Sequence, residues 1–130
     1  MKITVLVVDD AAWSAITLEA LLGTLPDVDV TRAGSGQEAW SVMQERPISA
    51  LITDLHMPGM DGFELIERVR ATAPVAAVPI IVISADGAPE TQDRARRLGA
   101  DTFFVKPYSP AAVREKLEQL LHDPPTRDHM

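Results

Sequence analysis

Short apolar runs alternate with amphipathic stretches along the chain. The apolar runs are rich in β-branched residues and occupy positions 3–8, 28–33, 50–53, 80–83 and 102–105. After four of the five runs, apolar residues recur at the spacing of one helix face, as at Leu18, Leu21 and Leu22, whereas Glu90 to Leu98 is predicted as a polar, Arg-rich helix. The pattern predicts five strands and five helices in strict alternation, and therefore right-handed βαβ units.

Residues that favour helix ends support this division. Ser35 and Glu38 have the spacing of a capping box, and Ser109 precedes Pro110 at the favoured first helical position. Gly99 is placed to end the fourth predicted helix. Positions 122–130 are polar and lack periodicity, so we predict one domain over 1–121 followed by a Pro-containing tail or linker stub.

Apart from 28–33, which contains Asp29 and Arg32, the predicted strands are almost continuously apolar instead of alternating with polar positions. Such strands are typical of a parallel sheet that is covered on both faces. The sequence therefore predicts an α/β fold in which a doubly wound parallel sheet carries helices on both sides.

Composition narrows the function classes. The chain has 130 residues, of which 46% are hydrophobic and 24% charged, as expected for one globular domain. The formal charge of −7 argues against nucleic acid and anionic membranes as direct partners. No apolar run approaches the roughly 18 residues of a membrane span. The absence of cysteine excludes thiol chemistry, and without a secretory signal we predict a cytoplasmic location.

Polar residues follow four of the five predicted strands. Asp9 and Asp10 follow the first strand, Asp54 the third, Ser84 the fourth and Lys106 the fifth. Ligands of open parallel sheets bind beyond the carboxyl ends of the strands. We therefore expect these side chains to share one edge of the sheet.

Three clustered carboxylates need a compensating charge. Two carboxylates ~4 Å apart repel by about 4 kcal/mol at an effective dielectric near 20, so such a cluster takes up a proton or a cation. A small set of oxygen ligands with room for water favours Mg²⁺. A carboxylate beside Mg²⁺, a lysine and a hydroxyl is equipped to accept a phosphoryl group as a nucleophile. Ser84 and the backbone N–H that follows it, on Ala85, could donate to a phosphoryl oxygen.

Five motifs, in order, resemble the response-regulator receiver domain of two-component phosphorelay systems. They are VVDD at 7–10, DLHMPGMDG at 54–62, ISA at 83–85, LGAD at 98–101 and KPY at 106–108. The resemblance covers about positions 2–121. It implies a flavodoxin-like (βα)5 fold with strand order 2-1-3-4-5, and a phosphoacceptor signalling domain that is not a turnover enzyme but assists its own phosphorylation and dephosphorylation.

The resemblance also assigns a phosphoacceptor and a metal site. Asp54 would accept a phosphoryl group from a phosphohistidine on a sensor histidine kinase or a histidine phosphotransfer protein. Asp10, Asp54 and the backbone carbonyl of His56 would ligate Mg²⁺, and Asp9 would act beside the ion through water.

A switch follows from the same resemblance. Lys106, Ser84 and the Ala85 N–H would bind the phosphoryl group, and Ser84 would move toward it while the aromatic ring of Phe103 changes position. The surface formed by the fourth helix, fifth strand and fifth helix would then contact an unknown downstream protein or output domain, and it is a candidate surface for a homodimer. Lys106–Pro107 would be a cis peptide.

Two further positions and one departure concern the phosphorylated state. His56 and Asp86 match positions that tune dephosphorylation in this family. Phe103 stands where tyrosine is common, so the switch would lack a phenolic hydroxyl.

Three other functions fit parts of the pattern. A flavodoxin-like mononucleotide-binding module would need a Gly-, Ser- or Thr-rich loop where this chain has two aspartates. An aspartate-nucleophile phosphatase would carry its nucleophile after the first strand and a second aspartate two residues later, where this chain has Ala11 and Ala12. An interaction module with an inactive site would not need the intact set of Asp10, Asp54, Ser84 and Lys106.

Overall fold

A computed structural model describes residues 2–11, 16–72 and 75–123 of the protein. The strands of the described residues are β1 Ile3–Val8, β2 Val28–Ala33, β3 Ala50–Thr53, β4 Ile80–Ser84 and β5 Thr102–Val105. The α-helices are α1 Ile16–Leu22, α2 Gly36–Glu45, α3 Gly62–Arg70, α4 Pro89–Leu98 and α5 Pro110–His122. A short 3-10 helix at Val75–Ala77, which the pattern did not predict, precedes β4.

All strand pairs are parallel, and the sheet order is β2-β1-β3-β4-β5. Val8 at the end of β1 pairs with Ala33 of β2 and with Thr53 of β3. The carboxyl ends of these strands therefore lie side by side. The predicted fold class and strand order are both confirmed.

The sheet divides the core into two layers. Helices α2, α3 and α4 pack on one face together with strand residues such as Leu51 and Phe103. Helices α1 and α5 pack on the other face with Ile52 and Phe104. Neighbouring residues of a strand point to opposite faces, so continuous apolar runs are needed to fill both layers.

The predicted caps form with one change. The Ser35 hydroxyl accepts the Glu38 N–H at 3.1 Å, but the Glu38 carboxylate reaches back to the N–H of Gly34 and not to that of Ser35. Ser109 caps α5 by accepting the Ala112 N–H at 3.2 Å. The helices thus begin where their polar side chains satisfy unpaired backbone donors.

Three predicted bounds shift by one residue. β4 extends to Ser84 beyond the predicted 80–83, α4 begins at Pro89 and not at the predicted Glu90, and α5 includes His122, which the pattern places in the tail. A histidine in the last turn is compatible with the negative end of the helix dipole. The rest of the predicted tail, apart from Asp123, lies outside the described residues.

The helices differ in how deeply they enter the core. α3 buries five residues, whereas α4 buries only Ala95.

Among the described helices, none combines the length and apolar character that a bilayer crossing requires.

Candidate functional site

Three carboxylates meet at the carboxyl edge of the sheet. Asp9 and Asp10 follow β1, and Asp54 follows the neighbouring strand β3. Each offers one oxygen, and these oxygens all lie within 4.8 Å of one another. Asp9 is buried, Asp54 is largely covered and Asp10 is exposed. Asp9 also accepts the Ala11 N–H at 2.9 Å, which holds its carboxylate at the start of the β1–α1 loop.

The ammonium group of Lys106 lies among these carboxylates. Its Nζ is 2.8 Å from Asp54 Oδ2 and 3.6 Å from Asp9 Oδ2. The Lys106 backbone N–H donates to the Ser84 carbonyl at 2.9 Å, so the backbone of Lys106 lies next to the carboxyl end of β4. Burial alone would lower the pKa of Lys106, but the hydrogen bond and charge of Asp54, together with Asp9, outweigh burial and raise it. The lysine is therefore held in its charged form.

The Asp54 carboxylate is oriented from two sides. Its Oδ1 accepts the Leu55 N–H at 2.7 Å and the His56 N–H at 3.4 Å, while Oδ2 accepts from Lys106. Gly62 at the start of α3 is close-packed against this segment, since a Cβ there would overlap the Asp54 carbonyl oxygen. Asp54 is thus fixed by its own loop and by the first residue of α3.

The Ser84 hydroxyl lies at the end of the next strand, β4. The side chain is fully buried, and its Oγ accepts the Asp86 N–H at 3.1 Å. Ser84 is two residues beyond Val82, which pairs with Phe103 of β5. Side chains two apart on a strand share a face, so Ser84 and Phe103 lie on the face covered by α4. The two predicted switch residues therefore occupy one layer of the molecule.

His56 and Asp86 form a bridge beside the carboxylates. His56 Nε2 is 3.2 Å from Asp86 Oδ2, and Oδ1 of the same aspartate accepts the Ala88 N–H at 3.1 Å. The hydroxyl of Thr91 donates to Asp86 Oδ2 at 2.8 Å. The Thr91 bond, the Ala88 N–H and His56 together lower the pKa of Asp86. The His56 ring is therefore directed at Asp86.

The structure brings most predicted site residues to one place. Asp9, Asp10, Asp54 and Lys106 form the acidic cluster and its cation. The Lys106–Pro107 peptide is cis, as predicted. Sequence reasoning missed Thr91, because the five-residue spacing from Asp86 matches no common capping pattern.

Comparisons with known proteins agree with this geometry. The family model described as "Response regulator receiver domain" matches residues 5–118. The chemotaxis protein CheY homolog of Campylobacter jejuni is 36% identical over 117 residues, which cover 89% of this chain and 90% of that protein. Chemotaxis protein CheY1 of Helicobacter pylori is 35% identical over 117 residues, which cover 89% of this chain and 94% of that protein.

Solved structures show the same fold. A putative response regulator from Chloroflexus aurantiacus superimposes with a TM-score of 0.85 at 30% identity, covering 94% of this chain and 99% of that one. The chemotaxis response regulator CheY4 of Vibrio cholerae gives 0.81 at 28% identity, covering 93% and 100%. The flavodoxin-like alternative is supported only at the level of the fold. Family, relatives and fold agree, and the chain belongs to the response regulator receiver domains of two-component signalling.

Proposed function

We propose that Asp54 accepts a phosphoryl group from a phosphohistidine on a sensor histidine kinase or a histidine phosphotransfer protein. The observation that supports this most directly is the position of its carboxylate, 2.8 Å from the Lys106 ammonium and within 4.8 Å of the Asp9 and Asp10 oxygens. A nucleophilic carboxylate beside a fixed cation and a metal-binding cluster suits phosphoryl transfer.

The proposed transfer exchanges one bond for another. A carboxylate oxygen of Asp54 attacks phosphorus, and the phosphorus–nitrogen bond to the donor ring breaks with its electron pair going to nitrogen. The donor leaves as neutral imidazole when its second nitrogen carries a proton. Later attack by water breaks the bond between phosphorus and the Asp54 oxygen, which restores the carboxylate and releases inorganic phosphate. The domain would thereby assist both its own phosphorylation and its dephosphorylation.

Lys106, which already contacts Asp54, and residues at the end of β4 would bind the transferred group. The Lys106 ammonium would pair with one phosphoryl oxygen, and the Ser84 hydroxyl and Ala85 N–H would donate to another. Lys106 is charged and needs no large movement, whereas Ser84 must turn toward the new group. A lysine that is in place before the reaction stabilises the charge spread over the transferring oxygens.

The acidic cluster fits Mg²⁺. Its oxygens are hard donors close enough to share one small cation, and the exposure of Asp10 leaves room for water ligands. We assign Asp10, Asp54 and the His56 carbonyl as direct ligands and place Asp9 beside the ion through water. When bound, Mg²⁺ neutralises negative charge on the carboxylates and on phosphoryl oxygens.

The phosphorylated form would differ on the α4–β5–α5 surface. A phosphoryl group adds about −1.5 to −2 charges and three strong acceptors. Ser84 would move toward these acceptors, and Phe103, on the same face of the sheet, would fill the space that it leaves. We propose that this surface binds the downstream protein or output domain, and that it is the candidate surface for a homodimer.

Two side chains would set the lifetime of the phosphorylated form. His56 and Asp86 lie two residues beyond Asp54 and Ser84, and their bridge spans the two loops that bear those residues. We assign them to the tuning of dephosphorylation.

The domain bounds of 1–121 and the cytoplasmic location stay predictions.

The test is phosphoryl uptake by intact-mass spectrometry. Acetyl phosphate with Mg²⁺, and separately a phosphorylated histidine kinase, should add one phosphoryl group to the wild-type protein. Asp54→Asn should remove this adduct, because the amide cannot act as the nucleophile. Asp29→Asn changes an exposed aspartate on β2, paired with Lys2, and should keep the adduct. Uptake by Asp54→Asn at the wild-type level would place the acceptor elsewhere.

A further inference from the structure

The Asp86 carboxylate is the meeting point of three parts of the molecule. It accepts the Ala88 N–H of its own loop at 3.1 Å, the Thr91 hydroxyl of α4 at 2.8 Å, and contacts His56 of the β3–α3 loop at 3.2 Å. Its backbone N–H donates to the Ser84 hydroxyl oxygen at 3.1 Å. One aspartate therefore joins the proposed switch serine, the loop after the phosphoacceptor and the first turn of α4.

Thr91 supplies the shortest of these bonds to the carboxylate. It lies in the first turn of α4, where the N-cap residue Ala88 has no side chain that can cap the helix. Because α4 buries only Ala95, its first turn is held largely by polar contacts. The bond from Thr91 therefore fixes the Asp86 carboxylate relative to the helix.

A second contact also joins α4 to the segment that follows Asp54. Arg94 is three residues after Thr91, and its guanidinium carbon lies 3.9 Å from the ring centroid of Phe63 in α3. Residues three apart share a helix face. The Phe63 ring in turn meets the His56 ring edge-on at 6.3 Å between centroids. This face of α4 thus rests on the loop and helix that follow Asp54.

We infer that Thr91 is a positioning residue for the phosphoryl chemistry at Asp54, which it affects by orienting Asp86 toward His56. The inference rests on the proposed function of Asp54. The contact between Asp86 and His56, at 3.2 Å, joins the loop after β4 to the loop after Asp54. In this inference, water and small phosphoryl donors reach Asp54 by passing between these two loops, and the contact restricts their passage.

Loss of the Thr91 hydroxyl should change the rates of phosphorylation and of hydrolysis at Asp54 in the same direction. Without the Thr91 hydroxyl, Asp86 keeps the Ala88 N–H but loses its tie to α4, and the bridge opens more often. Access to Asp54 then increases for water and for acetyl phosphate alike. Both hydrolysis and phosphorylation should become faster, by about two- to tenfold for the loss of one hydrogen bond.

The experiment compares Thr91→Val, which keeps the branched shape but removes the hydroxyl, with Thr91→Ser, which keeps the hydroxyl. Both rates are followed by intact mass with acetyl phosphate and Mg²⁺. Thr91→Val should raise both rates, and Thr91→Ser should restore wild-type values. Thr24→Val is the matched control, because this exposed threonine donates to Leu21 at the end of α1 and should leave both rates unchanged. Equal rates for Thr91→Val and wild type, or a failure of serine to restore them, would overturn the inference.

A double-mutant cycle with Asp86→Ala separates this role from a general loosening of α4. If Thr91 acts through Asp86, Thr91→Val should have no further effect in the Asp86→Ala background. A full Thr91 effect in that background would refute the route through Asp86.

The link also has a readout that needs no phosphorylation. In the unphosphorylated protein, Thr91→Val should shift the NMR signals of the His56 ring and the Ala88 amide, while Thr24→Val should not. Unchanged signals would refute the positioning role even if Asp54 takes up no phosphoryl group. A lack of uptake by the wild-type protein would refute the proposed function instead.

Discussion

Asp10→Asn should stabilise the metal-free protein. Asp10 is exposed, forms no ion pair with another described residue, and shares the cluster with Asp9 and Asp54. At 4.8 Å, the upper limit of the separation between these oxygens, each pair of carboxylates repels by about 3 kcal/mol at an effective dielectric of 20. With the dielectric of water the repulsion falls to about 1 kcal/mol per pair. Because Asp10 is exposed, we take the smaller value. Removal of two repulsive pairs, less the loss of the attraction between Asp10 and the Lys106 ammonium, gives about 1 kcal/mol.

The assay is thermal unfolding with a chelator and with millimolar Mg²⁺. A gain of about 1 kcal/mol should raise the Tm of metal-free Asp10→Asn by roughly 3–5 °C in a domain of this size. Mg²⁺ should raise the Tm of the wild-type protein, since binding to the folded state stabilises it. It should have a much smaller effect on Asp10→Asn, which lacks one ligand.

Asp29→Asn serves as the control, because this exposed residue lies outside the cluster and should respond to Mg²⁺ as the wild-type protein does. A lower Tm for metal-free Asp10→Asn, or an equal Mg²⁺ response in both proteins, would refute the electrostatic reasoning.

Three further predictions concern other parts of the structure. Arg70→Met should lower the free energy of unfolding, measured by urea titration, by about 3 kcal/mol. The largely buried Arg70 guanidinium binds the carbonyls of residues 76, 78 and 99 as well as the Asp101 carboxylate, and the substitution leaves these groups unpaired. The same change at exposed Arg96 should lower the free energy of unfolding by less than about 0.5 kcal/mol. The lowered pKa of Asp86 means that its ionised form stabilises the fold at neutral pH. The difference in free energy of unfolding between the wild-type protein and Asp86→Asn should therefore shrink as pH falls below 3.8. A difference that does not change with pH would contradict this. Acetyl phosphate with Mg²⁺ should shift the amide NMR signals around Phe103 on the α4–β5–α5 surface, and fixed signals there would argue against the switch.

The main features of the site could be predicted because they depend on sequence position alone. Once five apolar runs define a parallel sheet, any residue directly after a run lies at its carboxyl edge. Asp9, Asp10, Asp54, Ser84 and Lys106 all have such positions. The pairing of β1 with β3 then brings the two acidic groups together.

The remaining features depend on side-chain directions that periodicity does not encode. Arg70, in the last turn of α3, has the sequence position of a solvated helix residue, yet its side chain turns inward and is only 14% exposed. The contacts of Thr91 with Asp86 and of Arg94 with Phe63 depend on how α4 lies against the neighbouring loop. The 3-10 helix at Val75–Ala77 is too short to produce a periodic signal.

The shallow seating of α4 has a consequence for how such a domain can change over evolutionary time. With only Ala95 fully inside, the outer positions of this helix can be rewritten without emptying the interior. Asp54, by contrast, follows a strand whose four residues are all buried, and substitutions there would disturb both layers at once. A lineage could therefore acquire new interaction specificities at the outer positions of α4, away from Thr91, while residue 54 and its strand are inherited unaltered.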